Sequence, residues 1–199
     1  MGPGSGIVTR HFGRAAALAI VYCMLASHAV GAAEWVPLYR TSDGIEVFRK
    51  EAAMDGLIAF RGIGVVSAPL PVVATVIFDA ERRRQWVEGL AASRIVRWED
   101  RSTFIEHDRI EMPFLMSERD FVSKVTMRSD KTAGQLVFIF RATDEPSLPP
   151  AGPVRGEVID MTFILSPVEQ GRATRIDAAF LGDPKGWIPK FLVNYFLED

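Results

Sequence analysis

The sequence predicts an α+β domain in which a curved antiparallel sheet wraps around one apolar C-terminal helix, leaving an internal hydrophobic cavity between them. Three observations carry that expectation. From residue 93 to residue 181, apolar and polar residues alternate with a period of two, broken by short turns. A single helical insert, Pro69 to Gly89, separates that run from an earlier pair of strands. Residues Trp187 to Glu198 then return to helical spacing, and apolar side chains cover most of that helix.

Taken in order, Gly44 to Lys50 and Leu57 to Val66 read as paired strands joined by Met54-Asp55-Gly56. Gly62 and Gly64 fall inside the second of them, so they read as strand glycines rather than a phosphate cradle. In the insert, Val72, Val73, Val76 and Ile77 recur at helical spacing, and a polar turn follows from Asp79 to Trp86. Six further strands are predicted: Arg94 to Trp98, Thr103 to Ile110, Asp120 to Met127, Gln135 to Ala142, Val154 to Leu165 and Thr174 to Leu181. Glu99–Ser102, Asp130–Gly134 and Glu169–Gly171 supply turns, and the Pro-rich stretch Glu145 to Pro153 reads as a long hairpin loop. Eight strands in hairpin order make a meander that curls on itself. In the last helix Ile188, Phe191, Leu192 and Tyr195 share a face, and Pro189 suits a first turn. A single curved sheet around one helix leaves a gap that side chains or a ligand must fill.

Length and composition set the frame. The chain has 199 residues, 48% hydrophobic and 24% charged, which suits one folded domain. Lys plus Arg number 23 against 25 Asp plus Glu, so no global positive field would gather nucleic acid, and none is expected as a partner. Residues 1–33 hold no acid. Arg10 and Arg14 precede the apolar run Ala15 to Ala26, and small residues Ala29 to Ala33 follow. That order is the plan of a secretory signal peptide cleaved before Glu34, so export to the periplasm or outside the cell is expected. An uncleaved anchor helix is the alternative. A lipid anchor on Cys23 fits less well, because bulky Tyr22 precedes it.

A chain beginning at Glu34 would carry 21 basic and 25 acidic residues, a formal net charge of −4. The lone cysteine and two of the three histidines, His11 and His28, would leave with the leader, so His107 would stand alone. A zinc site and a cysteine nucleophile then lack their residues, a serine triad would need His107 as base in a chain with no G-x-S-x-G turn, and no P-loop or dinucleotide fingerprint occurs. The remaining inventory favours a binding protein without metal or cofactor, and carboxylate chemistry stays open.

Four stretches resemble the StAR-related lipid-transfer (START) domain family. Arg82 to Trp86 is similar to its Arg-x-x-x-Trp element. Met112-Pro-Phe-Leu-Met-Ser-Glu-Arg-Asp-Phe121 resembles its Pro…Ser-x-Arg-Asp-Phe stretch. Pro153-Val-Arg155 is similar to its Val-Arg strand start. Gly182-Asp-Pro-Lys-Gly-Trp-Ile-Pro-Lys-Phe-Leu-Val-Asn194 resembles its lead-in to the closing helix. The resemblance implies a helix-grip fold (START/Bet v 1-like), a tunnel for one lipid or other hydrophobic small molecule, and a monomer. Three departures stand out. The family's N-terminal helix is missing or reduced to Glu34-Trp35-Val36-Pro37. The closing stretch from Pro189 to Asp199 is shorter than the family's helix, so either a truncated chain or a lid-poor member is expected. Sterol-binding relatives carry a buried acid–base pair; Asp108 matches the acid, but the basic position corresponds to Val125, leaving Arg155 or Arg119 as substitutes.

The candidate site follows from these readings. Glu106 and Asp108, two apart in a strand, put two carboxyls on one face, a mark of a polar ligand end in an apolar tunnel. With Arg119 and Arg155 they form the expected polar end of the cavity. Met112, Phe114, Leu115 and Met116 make an apolar loop where a turn should be polar. With Trp187, Phe191 and Tyr195 of the last helix they form the expected gate (loop 111–118 plus that helix) and a transient membrane contact. The alternative is a loop tucked into the core. Trp86 reads as a packing anchor, with ligand contact as the alternative, and Arg119–Asp120 as a structural ion pair. Glu81-Arg-Arg-Arg84 reads as a solvated basic helix end, with headgroup binding as the alternative. His107 reads as an ordinary surface histidine. The expected function is binding, and possible transfer, of a lipid without catalysis. The rival is a polyketide cyclase or aromatase-like enzyme on the same scaffold, in which Glu106, Asp108 or Arg119 would polarise a substrate.

Overall fold

The structure is a computed structural model that describes residues 34–51, 56–112, 116–148 and 154–186. Ten strands form one sheet: β1 (Val36–Arg40), β2 (Glu46–Glu51), β3 (Ile58–Val66), β4 (Leu90–Trp98), β5 (Thr103–Ile110), β6 (Arg119–Asp130), β7 (Gln135–Ala142), β8 (Val154–Arg155), β9 (Glu157–Val168) and β10 (Ala173–Asp183). Their spatial order is β1-β2-β3-β10-β9-β7-β6-β5-β4, and two-residue β8 runs parallel to β6. All other pairs are antiparallel. The meander is as expected, with one long-range join: β10 pairs β3 over seven residues, uniting the two halves of the chain.

Two strands exceed the eight expected. Val36–Arg40 forms edge strand β1, not a remnant of a helix; Pro37 is tolerated there because an edge strand can leave one N–H side unpaired. The predicted strand from Val154 divides at Gly156 into β8 and β9. A Cβ at Gly156 would lie 2.3 Å from the Phe121 ring, so only glycine lets the chain pass there. Ile45 packs across Gly62 and Gly64, which fixes their place as strand glycines.

The helical insert is shorter than its sequence suggests. Helix α1 spans Leu70–Phe78, and a single 3-10 turn follows at Arg83–Gln85. Pro69 and Pro71 suit its start, and Val73 and Ile77 give it a buried face. Beyond Phe78 the apolar repeat stops, and the Asp79 carboxylate accepts the Arg82 amide at 3.2 Å, turning the chain away from the helix axis.

On the inner face of the sheet, Phe104, Val125, Phe138 and Leu165 are buried against Val73 and Ile77 of α1. Phe78, Trp98 and Phe104 stack beside them with ring centres 4.9–5.6 Å apart. Thr174 ties the sheet to the start of α1 by donating to the Ala68 carbonyl at 2.8 Å. A smaller cluster of Ile105, Val122 and Leu148 covers part of the outer face. Among the described residues no helix is long and apolar enough to cross a membrane. Residues 1–33 and the predicted closing helix, 187–198, lie outside the described residues.

Candidate ligand-binding cavity

Period-two alternation decides what faces inward. On β5 the even positions Phe104, Glu106, Asp108 and Ile110 share the inner face; on β6 the odd positions Val125, Ser123, Phe121 and Arg119 do. The register sets these opposite one another as Phe104↔Val125, Glu106↔Ser123, Asp108↔Phe121 and Ile110↔Arg119. The first pair belongs to the core under α1. The other three border a cavity of about 610 Å³, which Phe140, Val158, Met161, Phe163 and Phe180 line from β7, β9 and β10. Leu57, Trp86, Leu90 and Met112 complete the wall from the flanking loops and β4. That volume is in the range of small-molecule sites.

The polar end is built by Arg83, Glu106 and Asp108. Arg83 forks onto Glu106, with Nη1 to Oε1 at 2.5 Å and Nη2 to Oε2 at 2.9 Å; Nη2 also donates to the Ile77 carbonyl at 3.0 Å. The Glu106 side chain is wholly buried. Burial opposes the Arg83 cation, but the Glu106 carboxylate outweighs it and holds its pKa above the ordinary value. Asp108 lies further off, with Oδ2 3.6 Å from Arg83 Nη1. Its Oδ1 is buried and has no hydrogen-bond partner among the described residues. Burial, then the neighbouring Glu106 charge, pushes the Asp108 carboxyl up to about 8. At neutral pH it is a protonated acid, able to offer one O–H donor into the cavity.

Glu106, Asp108 and Arg119 thus border the cavity, and Arg155 is not among its described lining residues. Arg155 forks onto Asp120 at 3.0 and 2.8 Å. Asp120 alternates with Arg119 and Phe121 along β6, so that pair belongs to the opposite face. Arg119 and Asp120 form no ion pair for the same reason. Asp120 also takes a hydrogen bond with His107 at 3.1 Å, so His107 is a mostly buried bridging residue and not a plain surface histidine. Burial raises the Asp120 carboxyl, but Arg155 and His107 together hold it below the usual range.

Two further expectations change. Trp86 is half exposed and borders the cavity, so it is no packing anchor beneath a helix. Arg83 is not a solvated helix end: the 3-10 turn rotates it inward while Arg82 and Arg84 stay exposed. It is a charged residue of the cavity wall that reading the sequence missed; its only local signal was its place in the Arg82–Trp86 element. Of the expected gate residues, Met112 lines the cavity and Met116 is half-buried. Phe114, Leu115, Trp187, Phe191 and Tyr195 lie outside the described residues. Among the described residues no cluster of His, Cys, Asp or Glu side chains suits a metal ion.

A curved antiparallel sheet lining a mostly apolar cavity with one ionic cluster defines the helix-grip class of proteins. The START domain model matches residues 17–199, and the chain belongs to the START domain family. Solved structures with the same fold include the lipid transfer and protein localization domain of human StarD13 (DLC2), with a TM-score of 0.72 and 21% identity over 94% of this chain and 91% of that one. Human StAR-related lipid transfer protein 5 gives a TM-score of 0.71 and 20% identity, covering 92% and 88% respectively. A STAR-related lipid transfer protein from Xanthomonas axonopodis gives 0.67 and 23%, covering 82% and 89%. No curated protein matches the chain.

Proposed function

We propose that this protein binds one lipid or similar hydrophobic ligand in the cavity and carries it through water without chemical change. The supporting observation is the cavity of about 610 Å³, apolar over most of its wall, with the Arg83–Glu106–Asp108 cluster and Arg119 as its charged groups. Each methylene moved from water into such a wall gains about 0.8 kcal/mol, which would match what a membrane offers an acyl chain and permit exchange between the two. In this reading loop 111–118 and the C-terminal segment gate the cavity and touch the membrane transiently. Residues 1–33 direct export, and the protein acts as a monomer with no nucleic-acid partner. A cyclase-like enzyme is favoured by one observation, the acid Asp108 with its raised pKa inside a cavity. Native mass spectrometry of the purified protein tests the carrier reading: a co-purifying lipid mass is expected. A bare chain that also fails to take up any added lipid would overturn it.

A further inference from the structure

The cavity holds two arginines in unlike circumstances. Arg83 is neutralised by Glu106. Arg119 is almost wholly buried, at 2% exposure, and also borders the cavity, yet its partners are all main-chain carbonyls. Nε donates to Pro184 at 3.3 Å, Nη1 to Ser117 at 2.5 Å and Nη2 to Lys185 at 3.2 Å. Nearby Arg109 and Arg155 have carboxylate partners in Glu118 and Asp120; Arg119 has none among the described residues. A guanidinium has five N–H groups, so two remain to be satisfied. A buried cation lacking a counter-charge is expensive to hold, and an opposite charge arriving in the cavity would relieve that cost.

Resting on the carrier reading above, we propose that the ligand is an amphiphile with a single anionic group, a carboxylate or a phosphate monoester, which pairs with Arg119 inside the cavity. The charge balance agrees. Arg83 and Glu106 cancel, Asp108 is protonated at neutral pH, and Arg119 leaves the wall with one uncompensated positive charge. The neighbouring inner-face residues Ile110 and Phe121 are apolar, so little water competes for that charge and the pairing is strengthened.

Titration calorimetry at pH 7 with three ligands of equal chain length tests this: dodecanoate, dodecyl phosphate and dodecanol. An anionic ligand should bind at least about tenfold tighter than dodecanol, the gain of a charge-assisted pair. The tighter of the two anions then identifies the acid. Arg119→Gln should bring the anions to parity with dodecanol, and Arg119→Lys should keep the preference. Should the Gln variant fail to fold, the wild-type ratio decides. Dodecanol binding as tightly as both anions to the wild type would overturn the inference and leave the carrier reading standing. An anion preference that survives Arg119→Gln would overturn the assignment to Arg119. If none of the three binds and no lipid mass co-purifies, the carrier reading itself falls.

Discussion

Halfway along β5, β6 and β9 the inner face changes character. Towards one end Phe104, Val125 and Leu165 are buried against α1; towards the other Asp108, Phe121 and Met161 face a cavity. Between β5 and β6 the register and the period-two pattern continue unbroken across the change. What differs is the layer above. Val73 and Ile77 of α1 fill the first half, and α1 ends at Phe78 before it can cover the second. Among the described residues, the inner face is packed solid as far as α1 reaches and borders the cavity beyond it.

The sharpest way to break this comparison is at the boundary, where Arg83 reaches down from the 3-10 turn to Glu106. Glu106→Ala would leave the buried guanidinium only Asp108, 3.6 Å away, as a counter-charge, and a loss of about 3 kcal/mol is expected in urea unfolding. Next comes the solid half. Leu165 has no exposed surface, and Leu165→Ala should cost about 3 kcal/mol, lowering Tm by roughly 6–12 °C in calorimetry. The same truncation in the hollow half should cost less, because Met161 already borders empty volume: about 1 kcal/mol for Met161→Ala, with a measurable change in ligand affinity. Equal losses at Leu165 and Met161 would erase the distinction between the halves.

A separate effect concerns pH. Burial pushes the Asp108 carboxyl up to about 8 in the folded chain, against an ordinary value of 3.8. Between those values the folded state keeps a proton that the unfolded state has released, so this group's contribution to stability falls as pH rises through that window and levels off above 8. Asp108→Asn should flatten the dependence of Tm on pH between 5 and 8, relative to the wild type. An unchanged slope would remove Asp108 as the protonated acid of the hollow half.

Most strands and the two inward carboxyls were legible in the sequence, because alternation fixes which residues share a face. The partners were not legible. Arg83 sits between two exposed arginines, and only the 3-10 turn separates it from them. His107 meets Asp120 diagonally across a strand pair, where sequence spacing carries no signal. Strand β1 was hidden by Pro37, which argues against a strand except at an edge. The contents of the cavity were legible only as a class, since the arrangement of Arg119 among carbonyls depends on segments 65 residues apart meeting in space.

Gly156 has a consequence for what such a chain can carry. The Phe121 ring occupies the space a methyl group would take, so any side chain at 156 would drive that ring toward the hollow side. One atom added against that ring would thus shorten the room in front of it. The free length of the cavity can be tuned from a position outside its described lining.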